Sequence, residues 1–128
     1  MPMSFTIDPA RKVVFTTVSD ELTEQDVKDY QERLLRDPKF NPEYSQLMDA
    51  TTLKTVRLTS LSTDRLLRTR PFKRTARCAV IASSDLAFGI SRMVELHCEE
   101  QGIAFRGFRK RPEAEAWLFR GPDDTEAG

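Results

Sequence analysis

Alternating hydrophobic and polar residues mark the beginning of the chain. Met3, Phe5 and Ile7 are separated by single polar residues, and every residue of Val13–Val18 is β-branched or aromatic. The segment Asp8–Arg11 between them carries a proline at the second position of a turn. The pattern predicts an antiparallel hairpin in which one face of each strand is buried.

Capping residues and helix breakers predict four helices farther along the chain. Each predicted start has a hydroxyl side chain that can cap it or a proline in its first turn. The caps or first residues are Thr23, Ser62, Ser84 and Pro112, and the first three helices are expected to end at Asp37-Pro38, Pro71 and Gly102.

Apolar runs between the helices predict the remaining strands. Cys78–Ala82 is continuously apolar, which is typical of a central strand covered on both faces. Tyr44–Asp49 and Ile103–Gly107 are also expected to be strands, whereas Leu53–Leu58 fits a loop or an extended segment. The order of elements predicts one α/β domain over residues 1–120, with a mixed β-sheet led by the hairpin and with right-handed crossovers. Residues 121–128 are acidic and small and predict a flexible tail.

The third helix carries two faces that bear apolar residues. One of them, expected to pack on the sheet, consists of Leu86, Ile90, Met93, Val94 and His97. Phe88, Arg92 and Leu96 lie four residues apart on another side. Because aromatic and arginine side chains are common anchors of interfaces, we expect a protein partner, a second copy or a ligand to cover this side, unless the final helix covers it through Trp117.

Composition limits the class of protein. A chain of 128 residues with 39% hydrophobic and 31% charged residues is neither disordered nor embedded in a membrane, and no apolar stretch reaches the roughly 20 residues of a membrane span. The first residues lack the pattern of a secretory signal, so we expect a cytoplasmic location. Cys78 and Cys98 are expected to be buried thiols and not a disulfide.

Acidic and basic residues are distributed unevenly although the net charge is zero. Residues 1–53 contain ten acidic and six basic residues, and residues 54–128 contain ten and fourteen. Lys54–Arg77 is the most basic segment, with Asp64 as its single acid. A basic face attracts anionic partners, and a solvated rim fits the pattern as well. Because nucleic-acid binders usually have an overall basic balance, we expect no nucleic-acid partner.

Catalytic and metal-binding chemistry finds little support in the residues. A nucleophilic serine or cysteine needs a nearby base, and the single histidine, His97, lies on a predicted core face. Histidines and cysteines do not cluster at the spacing of a metal site, and no glycine-rich phosphate loop occurs. The sequence therefore predicts a protein that is not an enzyme and that holds no metal and no cofactor.

Two predicted helix starts are candidates for an anion site. Free backbone N–H groups at such starts favour phosphate or carboxylate groups, and both starts follow strands that end at the same edge if those strands are parallel. Ordinary capping serines with solvated arginines explain the pattern as well. The candidate residues are Ser62, Ser84, Arg57, Arg65 and Arg92.

The order of elements resembles that of the SpoIIAA-like proteins of the STAS/SEC14 group. The resemblance is carried by Leu22–Tyr30, Leu47–Asp49, Val80–Glu95 and Glu113–Leu118. It implies a mixed α/β fold, and some members of the group are regulators switched by serine phosphorylation at the start of the second helix, while others resemble binders of small apolar ligands. That switch position corresponds to Thr59, Ser60 and Ser62, where this chain lacks the Asp-Ser-Ser-Gly turn of the regulators.

Two functional hypotheses follow. The first is a regulatory or protein-interaction module without enzymatic activity, whose contact surface includes Phe88, Arg92 and the residues around Thr59–Arg65. The alternative is a carrier that holds a small apolar molecule or an acyl anion between the second and third helices. Its expected lining consists of Leu61, Leu66, Phe88 and Met93.

Overall fold

A five-stranded mixed sheet forms the centre of the molecule. The computed structural model describes residues 2–120, so the predicted tail at 121–128 lies outside the described residues. The elements in chain order are β1 (Met3–Asp8), β2 (Val13–Thr23), α1 (Glu24–Arg36), β3 (Ser45–Arg57), α2 (Ser60–Arg68), β4 (Cys78–Ile81), α3 (Asp85–Gln101), β5 (Phe105–Phe108) and α4 (Arg111–Arg120).

The strands lie in the sheet in the same order as in the chain. β1 and β2 form the antiparallel hairpin, and β2, β3, β4 and β5 run parallel to one another. The predicted mixed α/β fold is therefore confirmed, including the central parallel position of β4. The last strand begins two residues later than the predicted Ile103 and ends at Phe108, and the last helix begins at Arg111, one residue before the predicted Pro112.

Successive residues of β4 point to opposite faces of the sheet and define two layers. Cys78 and Val80 face the side that α1, α2 and α3 cover, which we call the three-helix face. Ala79 and Ile81 face the opposite side, where they pack against α4; we call this side the α4 face. Every residue of β4 is buried, as expected for a strand covered on both sides.

The caps of the helices explain where they begin. Thr23 caps α1 in a reciprocal capping box with Asp26, as its position predicts. The start of α2 differs from the prediction, because Thr59 is the cap and Ser62 lies at the third helical position. The Thr59 hydroxyl accepts a hydrogen bond from the Ser62 backbone N–H at 3.0 Å, and the Ser62 hydroxyl accepts one from the Thr59 N–H at 2.8 Å. The cap is therefore Thr59 instead of the predicted Ser62, and the helix begins at Ser60.

Strand β3 is much longer than predicted. It extends from Ser45 to Arg57 and includes most of the segment that fitted a loop or a strand equally well. β4 ends with Ile81 opposite Asp49, so the last eight residues of β3 pair with β2 alone. The pairing is irregular around Asp20, whose φ of 58° lies in the left-handed region. A two-stranded extension therefore projects beyond the rest of the sheet.

The sheet-facing side of α3 is not the one that the large apolar residues predict. The buried residues of this helix are Ala87, Ser91 and Cys98, whereas Leu86 and Met93 are 60% and 58% exposed. Small residues let the helix approach β5 closely, and a β-carbon at Gly107 would overlap the Ser91 hydroxyl. Close backbone approach, and not side-chain size, therefore determines how α3 lies on the sheet.

Candidate functional site

A cavity of about 170 Å³ lies between the three-helix face of the sheet and the helices that cover it. Its walls are mostly apolar side chains, which all five strands and α1, α2 and α3 contribute. The sheet supplies Met48, Ala50 and Val80, and the helices supply Val27, Leu66, Leu67, Ile90 and Val94.

Small side chains at the centre of the three-helix face create the space. Ala50 of β3 and Ala87 of α3 are 4% and 5% exposed and both line the cavity. Neither side chain extends far enough to fill the gap between sheet and helices. Leu53, Val56 and Leu58 also line the cavity and are only half-buried, which places its mouth near the end of β3.

Hydrogen-bonded polar side chains form one part of the wall. The Tyr30 hydroxyl lies 2.6 Å from the Thr16 hydroxyl and accepts a hydrogen bond from Gln46 Nε2 at 2.6 Å. Gln46 Oε1 in turn accepts a hydrogen bond from the Cys78 thiol at 3.2 Å. Burial raises the pKa of the Tyr30 hydroxyl far above its ordinary value, and burial raises the pKa of Cys78 to about 11. Both groups are therefore neutral at pH 7.

The other polar lining residues are also occupied by hydrogen bonds within the protein. Gln31 donates to the Leu66 carbonyl at 3.0 Å and accepts from the Thr69 hydroxyl at 3.1 Å, which ties α1 to the end of α2. The Thr63 hydroxyl donates to the Thr59 carbonyl at 2.8 Å. The Ser91 hydroxyl donates to the Phe88 carbonyl at 2.7 Å.

Arg70 is the charged residue among the described residues that line the cavity. It follows α2 directly, and its guanidinium carbon lies 5.2 Å from the centre of the Phe72 ring. The Nη2 atom is buried and has no hydrogen-bond partner among the described residues. In the sequence, Arg70 is one of the basic residues of Lys54–Arg77, and nothing in its local sequence distinguishes it from the others.

The predicted contact surface on α3 has partners within the chain. Phe88 is half-buried, and its ring centre lies 5.0 Å from the guanidinium carbon of Arg92 and 4.5 Å from that of Arg109. Arg92 also pairs with Glu95 at 3.1 Å. Trp117, the alternative cover for this side of α3, instead packs against Phe108 on the α4 face of the sheet, with ring centres 5.8 Å apart.

The lining expected for a carrier is corrected in three of its four residues. Leu66 lines the cavity as predicted. Leu61 and Met93 are instead 66% and 58% exposed, and Phe88 is not part of the lining. The α3 residues that line the cavity are Ala87, Ile90, Ser91 and Val94.

The two helix starts proposed as one anion site are far apart. α3 begins just after β4, but α2 begins after the two-stranded extension, whose eight residues beyond Asp49 span about 26 Å. Ser60 is exposed in the first turn of α2, whereas Ser62 is buried and bonded to Thr59. Ser84 caps α3 through the Ala87 N–H at 3.0 Å.

Four of the eight basic residues of Lys54–Arg77 pair with acids from the first half of the chain. Arg65 forms an ion pair with Glu24 of α1 at 3.4 Å, and Arg57 forms one with Glu21 at 2.9 Å. Lys54 and Lys73 likewise face Asp20 and Glu43. The uneven charge of the sequence therefore becomes a set of ion pairs between the two halves, and Arg57, Arg65 and Arg92 do not converge on one site.

His97 lies at the junction of two helices. Its Nδ1 atom is 2.7 Å from Asp64 Oδ1, and its side chain is 19% exposed, so it links α3 to α2 at the surface and is not a residue of the sheet-facing core. Both cysteines are free and buried, as the sequence predicts. Within residues 2–120, no three His, Cys, Asp or Glu residues are grouped as metal ligands would be.

Comparisons with known proteins support the fold. The structure of an uncharacterised protein of the DUF3478 family with a SpoIIAA-like fold, from Shewanella loihica PV-4, superposes with a TM-score of 0.60 over 91% of each chain at 21% identity. The fold of this chain is therefore SpoIIAA-like. No family model matches the chain, and no curated protein matches its sequence. Among the described helices, none has the length and apolar character needed to cross a membrane.

Proposed function

We propose that this protein binds a small, mainly apolar molecule in the cavity of the three-helix face. The observation that carries the proposal is the cavity itself, whose volume of about 170 Å³ is close to that of engineered apolar cavities that bind benzene. Protein interiors normally contain few voids larger than a water molecule.

The chemistry of the walls favours binding over turnover. The hydroxyl, amide and thiol groups at the cavity are hydrogen-bonded within the protein. Because burial raises the pKa of Cys78 to about 11, its thiol is a poor nucleophile at neutral pH. A carrier or a sensor, in which the occupied cavity changes the stability of the domain, fits these features.

Cavity filling tests this proposal directly. Ala50→Leu places three more carbons in the cavity, and Ala116→Leu makes the same change on α4, at a half-buried position on the other side of the sheet. We expect toluene and 1-hexanol to perturb backbone amide resonances around the cavity in the wild-type protein and in Ala116→Leu, and to leave Ala50→Leu unchanged. Absence of binding in the wild-type protein, together with an empty protein in native mass spectrometry, would overturn the proposal.

A second candidate function is self-association through α3, in line with an interaction module. Leu86, Met93 and Leu96 of α3 are each about 60% exposed, which is unusual for three apolar side chains on one helix. Two copies related by a twofold axis would cover both sets at once. Sedimentation equilibrium should then show a dimer that Leu96→Glu converts to a monomer, and a wild-type monomer at millimolar concentration would exclude it.

A further inference from the structure

Arg70 has a buried guanidinium nitrogen without a partner, which distinguishes it from the other basic residues of its segment. Arg57 and Arg65 pair with glutamates, and Lys54 and Lys73 lie near acids as well. Arg70 forms no ion pair within residues 2–120, although its Nη2 atom is buried. Arg70 as a whole is half-buried, and the burial of one guanidinium nitrogen without a hydrogen-bond partner costs free energy, so its position calls for an explanation.

Arg33 provides an internal comparison. It too has a buried nitrogen without a partner, its Nε atom. Its Nη2 atom, however, donates to the Met3 carbonyl at 2.7 Å, so that this guanidinium is anchored to the backbone. No side-chain hydrogen bond of this kind holds Arg70 among the described residues; it packs against the ring of Phe72 and lines the cavity.

The charge of Arg70 reaches the interior of the three-helix side. Burial raises the pKa of Cys78, on β4, and the positive charge of Arg70 opposes that rise. Arg70 has the same lowering effect on Tyr30 of α1 and on Cys98 of α3, where burial again dominates. Groups on the sheet and on both outer helices thus lie within electrostatic range of the half-buried Arg70 guanidinium.

The other polar groups of the cavity already hold hydrogen bonds within the protein, and those that keep a spare N–H, Gln31 and Gln46, are neutral amides. Tyr30 and Gln46 bond each other, Gln31 bonds the end of α2, and the hydroxyls of Thr63 and Ser91 donate to helix carbonyls. Arg70 is therefore the charged donor of an otherwise apolar or neutral wall, and its side chain donates no hydrogen bond to a described residue. A ligand that matches these walls has one anionic group and an apolar remainder.

We infer that the cavity binds a small monocarboxylate, with its carboxylate on the Arg70 guanidinium and its apolar part among Ala50, Val80 and Val94. This inference rests on the proposed function and specifies its ligand class. A volume of about 170 Å³ holds an apolar part of about six or seven carbons, the size of a benzene ring or a short alkyl chain. Hexanoate and benzoate are representative probes.

The test compares each acid with its neutral amide. Hexanoate, benzoate, hexanamide and benzamide are titrated at pH 7 into the full-length protein, and binding is followed by amide chemical shifts. A charge-assisted hydrogen bond predicts that each acid binds about tenfold or more tightly than its amide. Arg70→Met is expected to remove this preference and to leave amide binding within about twofold of wild type. Arg68→Met, the same change at an exposed position of α2, is expected to keep the preference.

The outcomes separate the two proposals. If acids and amides bind equally, or if Arg70→Met and a second neutral variant, Arg70→Gln, retain the preference for acids, the inference about the ligand class is wrong while the binding function stands. If neither acids nor amides bind to the wild-type protein, the proposed function fails and the inference fails with it. Far-ultraviolet circular dichroism verifies that each variant is folded, and Arg70→Gln takes over the test if Arg70→Met is not.

Discussion

The two faces of the sheet are built from similar residues and packed very differently. On the α4 face, Ala114 and Leu118 lie directly on Ala79 and Ile81, and the large ring of Trp117 fills the adjoining space. On the three-helix face, small residues of the sheet and of α3 lie opposite each other and leave a cavity of about 170 Å³. Alanine therefore permits close contact on one side and creates space on the other, according to what lies opposite.

The largest expected contrast comes from shortening one leucine on each face. Leu118→Ala removes a side chain that is 4% exposed in the filled α4 layer and should lower the free energy of unfolding by about 3 kcal/mol. Leu66 is 6% exposed but borders the cavity, so its side chain makes fewer van der Waals contacts than that of Leu118. Leu66→Ala should therefore lower the free energy of unfolding by about half as much. Urea unfolding measures both values, and equal losses would contradict the difference in packing.

Alkaline pH should weaken the three-helix side specifically. Burial raises the pKa of Cys78 from an ordinary value of 9.0 to about 11. Below pH 9 the Cys78 thiol is protonated in both the folded and the unfolded protein. Above pH 9 the thiol ionises in the unfolded chain first, so the free energy of unfolding falls as the pH rises from 9 to 11. Cys78 alone should contribute a loss on the order of 2 kcal/mol at about pH 10.5, and Cys98 and Tyr30, whose pKa values burial also raises, add to it. Cys78→Ala should show a smaller loss than wild type between pH 8 and this pH, and an identical loss would count against the assignment.

Enlarging one alanine on each face should change the free energy of unfolding in opposite directions. Ala114 is fully buried in the filled layer, so Ala114→Leu should destabilise the protein by about 2 kcal/mol through overpacking. In Ala50→Leu the new side chain extends into the cavity and should stabilise the protein by about 1 kcal/mol, because it buries carbon atoms with little displacement of neighbouring atoms. Thermal and urea unfolding of the two variants provide the measurement. Destabilisation of similar size in both would mean that the cavity is not available to a side chain.

Local signals account for the part of the fold that was predicted from the sequence. The hairpin, the capping box of Thr23, the buried run of β4 and the stop at Gly102 each depend on a few neighbouring residues. Their physical basis, namely turn geometry, caps and the period of side-chain burial, acts over the same short range. The element order, and with it the SpoIIAA-like fold, follows from these signals.

Features that depend on contacts between residues far apart in the sequence were not predicted or were predicted wrongly. The length of β3 depends on pairing with the irregular end of β2, and the ion pair between Arg65 and Glu24 joins residues 41 positions apart. The face of α3 was assigned from its large residues, whereas close approach at Ser91 and Gly107 selects its small ones. Arg70 could not be recognised for the same reason, because its place in the cavity wall results from the packing of elements that are distant in sequence.

Xenon binding tests the contrast between the two faces most directly. Xenon occupies apolar cavities of about this size and needs no polar recognition. In crystals of the wild-type protein under xenon pressure, we expect one xenon site on the three-helix face between Ala50, Val80 and Val94, and none between the sheet and the described part of α4. A xenon-free three-helix face, or equal occupancy of both layers, would contradict the account.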